Sequence, residues 1–206
     1  MFRASAKSSR GFTLIELMIT LVVVTVLVLI AVPSFRDYIE KARVRGAADQ
    51  VTDLLARARA SAVKSNLPVS ITADGSGSAD WCIGARMAAE PTAWAMRPDT
   101  APTCDCTAPA LCLVDSQPLA LDSADLSSGT APTATIGAFS FSYSPKLGGV
   151  SANDANKSFL LDVDRSIDLV SPNGRYRLSV GVTPLGQSFV CVPAGNPVFM
   201  GYRTCS

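Results

Sequence analysis

Histidine is missing from all 206 residues. Its absence excludes an imidazole general base, a Ser-His-Asp triad and any histidine ligand for a metal. Charge is sparse as well: 17% of residues are charged, with 18 Lys and Arg against 17 Asp and Glu, a formal net charge of +1. A balance so near zero argues against a strongly basic nucleic-acid binder and against an acidic disordered tail. No phosphate-cradling glycine loop, no nucleophile beside a base and no carboxylate pair at a useful spacing is evident, so a tethered enzyme has no chemistry to use. Asp162, Asp164 and Asp168 lie near a turn, where surface acids are ordinary. The length suits one domain with an added element.

What the chain does have is one concentrated apolar run. Phe12 to Val32 is 21 residues long and carries a single charge, Glu16. At about 1.5 Å per residue such a helix spans roughly 31 Å, enough for a hydrocarbon core of about 30 Å. The preceding segment carries Arg3, Lys7 and Arg10, so the positive-inside rule keeps it cytoplasmic and sends the remainder outward. A secretory signal would have a shorter apolar region and a small-residue cleavage site. This run instead meets Pro33-Ser34-Phe35 and then charged residues. A plain anchor explains the length but not Glu16: a carboxylate at the centre of a span costs roughly 2.5–3.5 kcal/mol and marks function by default, and although Glu16 lies near the cytoplasmic end, where the cost is smaller, it still needs a partner.

Gly11-Phe12-Thr13-Leu14-Ile15-Glu16-Leu17 resembles the class III signal of type IV prepilins and pseudopilins. The resemblance covers the basic leader, the glycine before phenylalanine, the carboxylate four residues later and the apolar run ending at Pro33. It implies cleavage between Gly11 and Phe12 by a prepilin peptidase, a separate membrane enzyme, followed by N-methylation of Phe12. Losing three basic residues would leave 15 against 17 acids. It also assigns Glu16 to assembly: one helical turn from the new amine, the carboxylate neutralises that amine or a neighbouring subunit's, which costs far less in lipid than a bare charge. No cofactor is implied. The implied partners are other pilins or pseudopilins, an inner-membrane assembly platform and membrane lipid.

Pro33 removes a backbone donor and disfavours helical geometry at Val32. It reads either as the end of the span or, by the resemblance, as a kink in a longer helix. The helical pattern resumes at once over 34–66: Val44, Ala48, Val51, Leu55, Ala58 and Ala62 form one face, widened by Leu54 and Val63. Pro68 ends it, with Asn66 at the cap. The basic excess on this helix reads as a solvated face.

Beyond the helix the pattern turns to β. Strands are expected at Val69–Ala73, Phe139–Tyr143, Phe159–Val163, Ser166–Val170, Arg175–Thr183 and Ser188–Val192, with turns at Pro145–Gly149, Ser171–Gly174 and Pro184–Gly186. Tyr176, Leu178, Val180 and Val182 share one face, giving an antiparallel meander that receives the helix stripe. Residues 74–135 read as an irregular insertion, with β-structure around Trp81 and over Leu111–Val114, and with Trp94 in its middle. The expectation is thus an α+β, pilin-like chain: leader 1–11, membrane and assembly helix 12–33, amphipathic half-helix 34–66 and periplasmic β-rich head 67–206.

Cys82, Cys104, Cys106, Cys112, Cys191 and Cys205 all fall in that head, where an oxidising compartment favours disulfides. Six cysteines allow 15 pairings. Proximity suggests Cys191 with Cys205, and the other four pairing within the insertion. A four-cysteine zinc site on Cys82, Cys104, Cys106 and Cys112 is the alternative, disfavoured by the C-x-C spacing.

The run from Asp53 to Val69, with its Ala/Arg-rich helix end, and the Asn173-Gly174-Arg175 turn resemble the FimT/GspH branch of the pilin-like family. That branch implies either a minor pilin of a type IV pilus or the minor pseudopilin H of type II secretion. Some members serve DNA uptake through a C-terminal Gly-Arg-x-Arg sequence before a cysteine. Here only Arg203 of that pattern stands near Cys205, while Gly174-Arg175-Tyr176-Arg177 fits the letters at a hairpin. Arg175, Arg177 and Arg203 are the candidate DNA contacts. A stand-alone binding domain on a membrane anchor is the third reading, and it requires no cleavage after Gly11.

Overall fold

The computed structural model describes residues 12–74, 81–88, 104–106, 108–122, 133–135, 139–152, 165–198 and 201–205. One helix, α1 (Leu14–Ser65), leads the chain. The chain divides into two units, Met1–Ile39 and Glu40–Ser206. The first holds the apolar start of α1. The second holds the rest of α1 and the β-strands.

Helix α1 ends where the sequence places its cap. Asn66 adopts a left-handed φ of 54°, a conformation asparagine tolerates better than most residues. The Leu67 amide reaches back to the Ala62 carbonyl at 3.3 Å, closing a Schellman-type end. Within the second unit, Val44, Ala48, Val51, Leu55, Ala58 and Ala62 are all fully buried. Leu54 joins them, and so does Ala47, which the sequence pattern did not single out. Val63 does not widen the stripe as expected. It is 50% exposed, because one residue past Ala62 turns about 100° away from the packed face.

Among the described residues the head contains two five-stranded sheets and a small hairpin rather than one meander. In the first sheet, β1 (Val69–Asp74) pairs antiparallel with β2 (Cys82–Met87) on one side and β7 (Phe139–Tyr143) on the other. β5 (Ala120–Asp122) and β8 (Val150–Ala152) form its edges. The second sheet runs β12 (Arg203–Thr204), β11 (Ser188–Val192), β10 (Arg177–Val182), β9 (Arg165–Val170) and β6 (Thr133–Thr135). Among the described residues the ladders are antiparallel except β11 with β12, which is parallel. The hairpin is β3 (Leu113–Val114) with β4 (Gln117–Pro118), preceded by a 3₁₀ turn at Pro109–Leu111.

Both sheets feed one core. Ile71, Ile83 and Phe141 from the first and Leu169, Leu178 and Val180 from the second pack with the buried stripe of α1. Tyr176, Leu178, Val180 and Val182 all face inward, each at most 3% exposed. Strands at 139–143 and 188–192 match expectation to the residue. β10 is shorter than expected. Arg175 and Tyr176 stay in the preceding turn because Asn173 Oδ1 accepts from the Arg175 amide at 3.0 Å, while the Ser171 hydroxyl accepts from the Tyr176 amide at 3.0 Å. The strand expected at Phe159–Val163, Trp94, and the acids Asp162 and Asp164 lie outside the described residues.

The 74–135 segment contributes more strand than its composition suggested. β2 pairs with β1 along all six residues. Two disulfides, Cys82–Cys106 and Cys104–Cys112, hold the segment, and Cys191–Cys205 staples the end of the chain. This overturns the zinc alternative, since all four thiols of that set are bonded to one another. Gly84 lies beneath the pair: a Cβ there would overlap Cys104 Sγ and sit 2.9 Å from Cys112 Sγ, so only glycine lets the two bridges pack onto the strand.

One corner ties the two sheets to α1. Arg59 Nε donates to the Gly148 carbonyl at 3.0 Å and Arg59 Nη2 to the Leu185 carbonyl at 3.1 Å. The Val150 amide donates to the Pro184 carbonyl at 2.9 Å.

Candidate assembly site

The start of α1 is built from Phe12, Thr13 and Glu16. Thr13 is the N-cap. Its hydroxyl accepts from the Glu16 amide at 3.3 Å, and the Glu16 carboxylate accepts in return from the Thr13 amide and hydroxyl, both at 3.1 Å. This is a reciprocal capping box. The Thr13-x-x-Glu16 spacing is the sequence signature of this box, and it gives Glu16 a local partner besides the amine proposed for it. A carboxylate in the first turn also faces the positive end of the helix dipole. Phe12 is 86% exposed. Gly11 lies outside the described residues.

From Leu14 to Ile30 every large apolar side chain is more than half exposed within its unit. An 18-residue window of this stretch has a mean hydropathy of 2.9 with none of it buried, long and apolar enough to cross a membrane. Its polar groups are turned inward: the Thr20 and Thr25 hydroxyls donate to the Leu17 and Leu21 carbonyls at 2.9 and 2.7 Å. That arrangement leaves no hydroxyl hydrogen unsatisfied in a medium without water. Pro33 falls inside the bounds of α1.

Each of the three arginines named as DNA contacts has a partner in the structure. Arg175 lies against the Tyr176 ring, 5.5 Å from its centroid. Arg177 faces the Asp168 carboxylate at 3.8 Å. Arg203 stands on β12, 6.0 Å from the Phe189 centroid. Among the described residues no group of three or more metal-ligating side chains occurs.

The comparisons with known proteins fall on the same two parts of the chain. A family model for the prokaryotic N-terminal methylation motif matches residues 6–32. A second model, type II transport protein GspH, matches residues 47–186. Two fimbrial proteins of Pseudomonas aeruginosa are each 42% identical over 48 residues, 23% of this chain and 31% of each relative. The match thus spans about a third of the length of these relatives. No solved structure matches. With a methylation motif on an apolar helix and a head that matches over most of the chain, the protein belongs to the FimT/GspH family of type IV pilin-like proteins, whose members are structural filament subunits.

Proposed function

We propose that the protein is a minor pilin, cut between Gly11 and Phe12 by a prepilin peptidase, methylated on Phe12 and drawn from the inner membrane into a type IV pilus. In this reading the leader is cytoplasmic, the head periplasmic, and the assembly platform and neighbouring pilins are the partners. The observation that carries it is the helix start: apolar on every side for five turns, with one carboxylate at its first turn. Such a surface is stable in lipid or against other apolar helices and nowhere else. Glu16 supplies the register: the capping box satisfies part of the carboxylate, and pairing with a positive group lowers the cost of its charge in lipid further. The test is Glu16→Ala: the variant inserts in the membrane at wild-type levels and is missing from sheared filaments. Wild-type amounts in the filaments would contradict the proposal.

A second reading, the minor pseudopilin of a type II secretion system, is favoured by the GspH model's match to the head. The same helix physics serves both. Deleting the gene separates them: loss of surface pili supports the first, and retention of exported enzymes in the periplasm supports the second. A DNA role would rest on Arg175, Arg177 and Arg203. The Asp168 carboxylate beside Arg177 weighs against it, since DNA affinity comes from unopposed cations on phosphates.

A further inference from the structure

The outward face of the second sheet carries a concavity lined by Asp168, Ser179, Phe189 and Arg203. Its volume is about 510 Å³, within the range of roughly 300–1,000 Å³ typical of small-ligand sites. The strand register lays out its floor in two rows. Arg203 stands opposite Cys191, Cys191 opposite Ser179, and Ser179 opposite Asp168. The next row is Phe189, Gly181 and Ser166. With strands about 4.8 Å apart, Arg203 and Asp168 anchor opposite sides of the concavity, roughly 14 Å apart at their backbones.

Gly181 shapes the centre. A Cβ there would overlap the tip of the Phe189 ring, so the missing side chain is what lets the ring reach across from β11 to β10. The Cys191–Cys205 disulfide lies on the same face and fixes the strand that carries the ring. Ser166 and Thr183 add hydroxyls to the lining. Asp168 accepts from the Ser179 hydroxyl through Oδ1. Its Oδ2 is 3.8 Å from Arg177, too far for a hydrogen bond, and keeps acceptor capacity.

We propose that this face binds a neutral saccharide, with the Phe189 ring stacked against one pyranose face on the side not covered by the Arg203 guanidinium and with Asp168 and Arg203 hydrogen-bonding its hydroxyls. The chemistry selects among ligand classes. A phosphate polymer would meet the Asp168 carboxylate as well as Arg203 and gain little. A purely apolar ligand would strip water from two charged groups without replacing it. A peptide strand adds to a sheet edge rather than to its face. Sugar hydroxyls both donate and accept, matching an acceptor-only carboxylate, a donor-only guanidinium and two hydroxyls. The axial C–H groups of a pyranose are complementary to the electron-rich face of an aromatic ring.

The test is saturation-transfer NMR on the full chain in zwitterionic detergent micelles, with maltotriose and tri-N-acetylchitotriose as probes. We expect transfer to the ring protons of at least one probe. Phe189→Ala and Asp168→Asn each weaken that binding by about tenfold or more, the effect of losing one charged hydrogen bond or a comparable contact. Arg203→Gln, at an exposed position where folding is not at stake, weakens it too, and Phe189→Tyr retains it. Absence of transfer to both sugars overturns the proposal. So does transfer unchanged in Arg203→Gln and Asp168→Asn, or a single-stranded oligonucleotide that binds this face in their place.

Discussion

Thr13 and Glu16 hold each other at the first turn of α1, hydroxyl to amide at 3.3 Å and carboxylate to amide at 3.1 Å. The pair presents Glu16 toward the chain end, where the amine created by cleavage would stand. Replacing Thr13 by Val removes the cap oxygen while keeping the shape. The loss is about 1 kcal/mol of helix-start stability. Amide exchange in detergent micelles reads it as faster exchange at Ile15 and Glu16, with residues beyond Thr20 unchanged. Equal protection in both proteins would mean that the capping box contributes nothing.

Gly186 and Gly174 offer a matched comparison. Both have positive φ, 77° and 72°. A Cβ on Gly174 meets nothing within 4 Å, whereas one on Gly186 would overlap the Gly148 carbonyl that Arg59 binds. Gly174→Ala costs only the backbone strain, about 1–2 kcal/mol. Gly186→Ala adds the displacement of that carbonyl and the loss of a charged hydrogen bond worth about 1.5–3 kcal/mol. Thermal unfolding then places Gly186→Ala below Gly174→Ala by several degrees.

Tyr143 is fully buried, and its hydroxyl has no hydrogen-bond partner among the described residues. Burial drives its pKa well above the ordinary 10.0, with Arg59 opposing weakly. The folded state therefore holds the proton more tightly than the unfolded state. Stability is fully present below pH 10 and falls as the pH rises past it. Tyr143→Phe removes an unsatisfied group. It leaves stability equal or higher at neutral pH, and it flattens the loss above pH 10. Denaturant titrations at pH 7 and pH 10.5 on both proteins check the sign.

Much of this was legible in the residues. The stripe from Val44 to Ala62 has only one packed solution at helical period, and all six positions are buried. Asn66 before Pro68 marked the helix end. The Phe139–Tyr143 alternation and the Cys191–Cys205 bridge were readable because each depends on neighbours near in sequence. The division into two sheets was not, since it follows from β1 taking β7 as a partner some 70 residues away. The two remaining disulfides were confined to the right segment but not paired, because pairing is set by how they pack on Gly84. The concavity around Phe189 was missed for a similar reason: Arg203, Ser179 and Asp168 meet only through three strand registers.

The most direct measurement is the mass and N-terminal sequence of the protein recovered from the cell envelope. The recovered chain is expected to begin at Phe12, to lack the eleven-residue leader and to carry one methyl group on the terminal amine. Envelope protein beginning at Met1, assembled and functional, would contradict it.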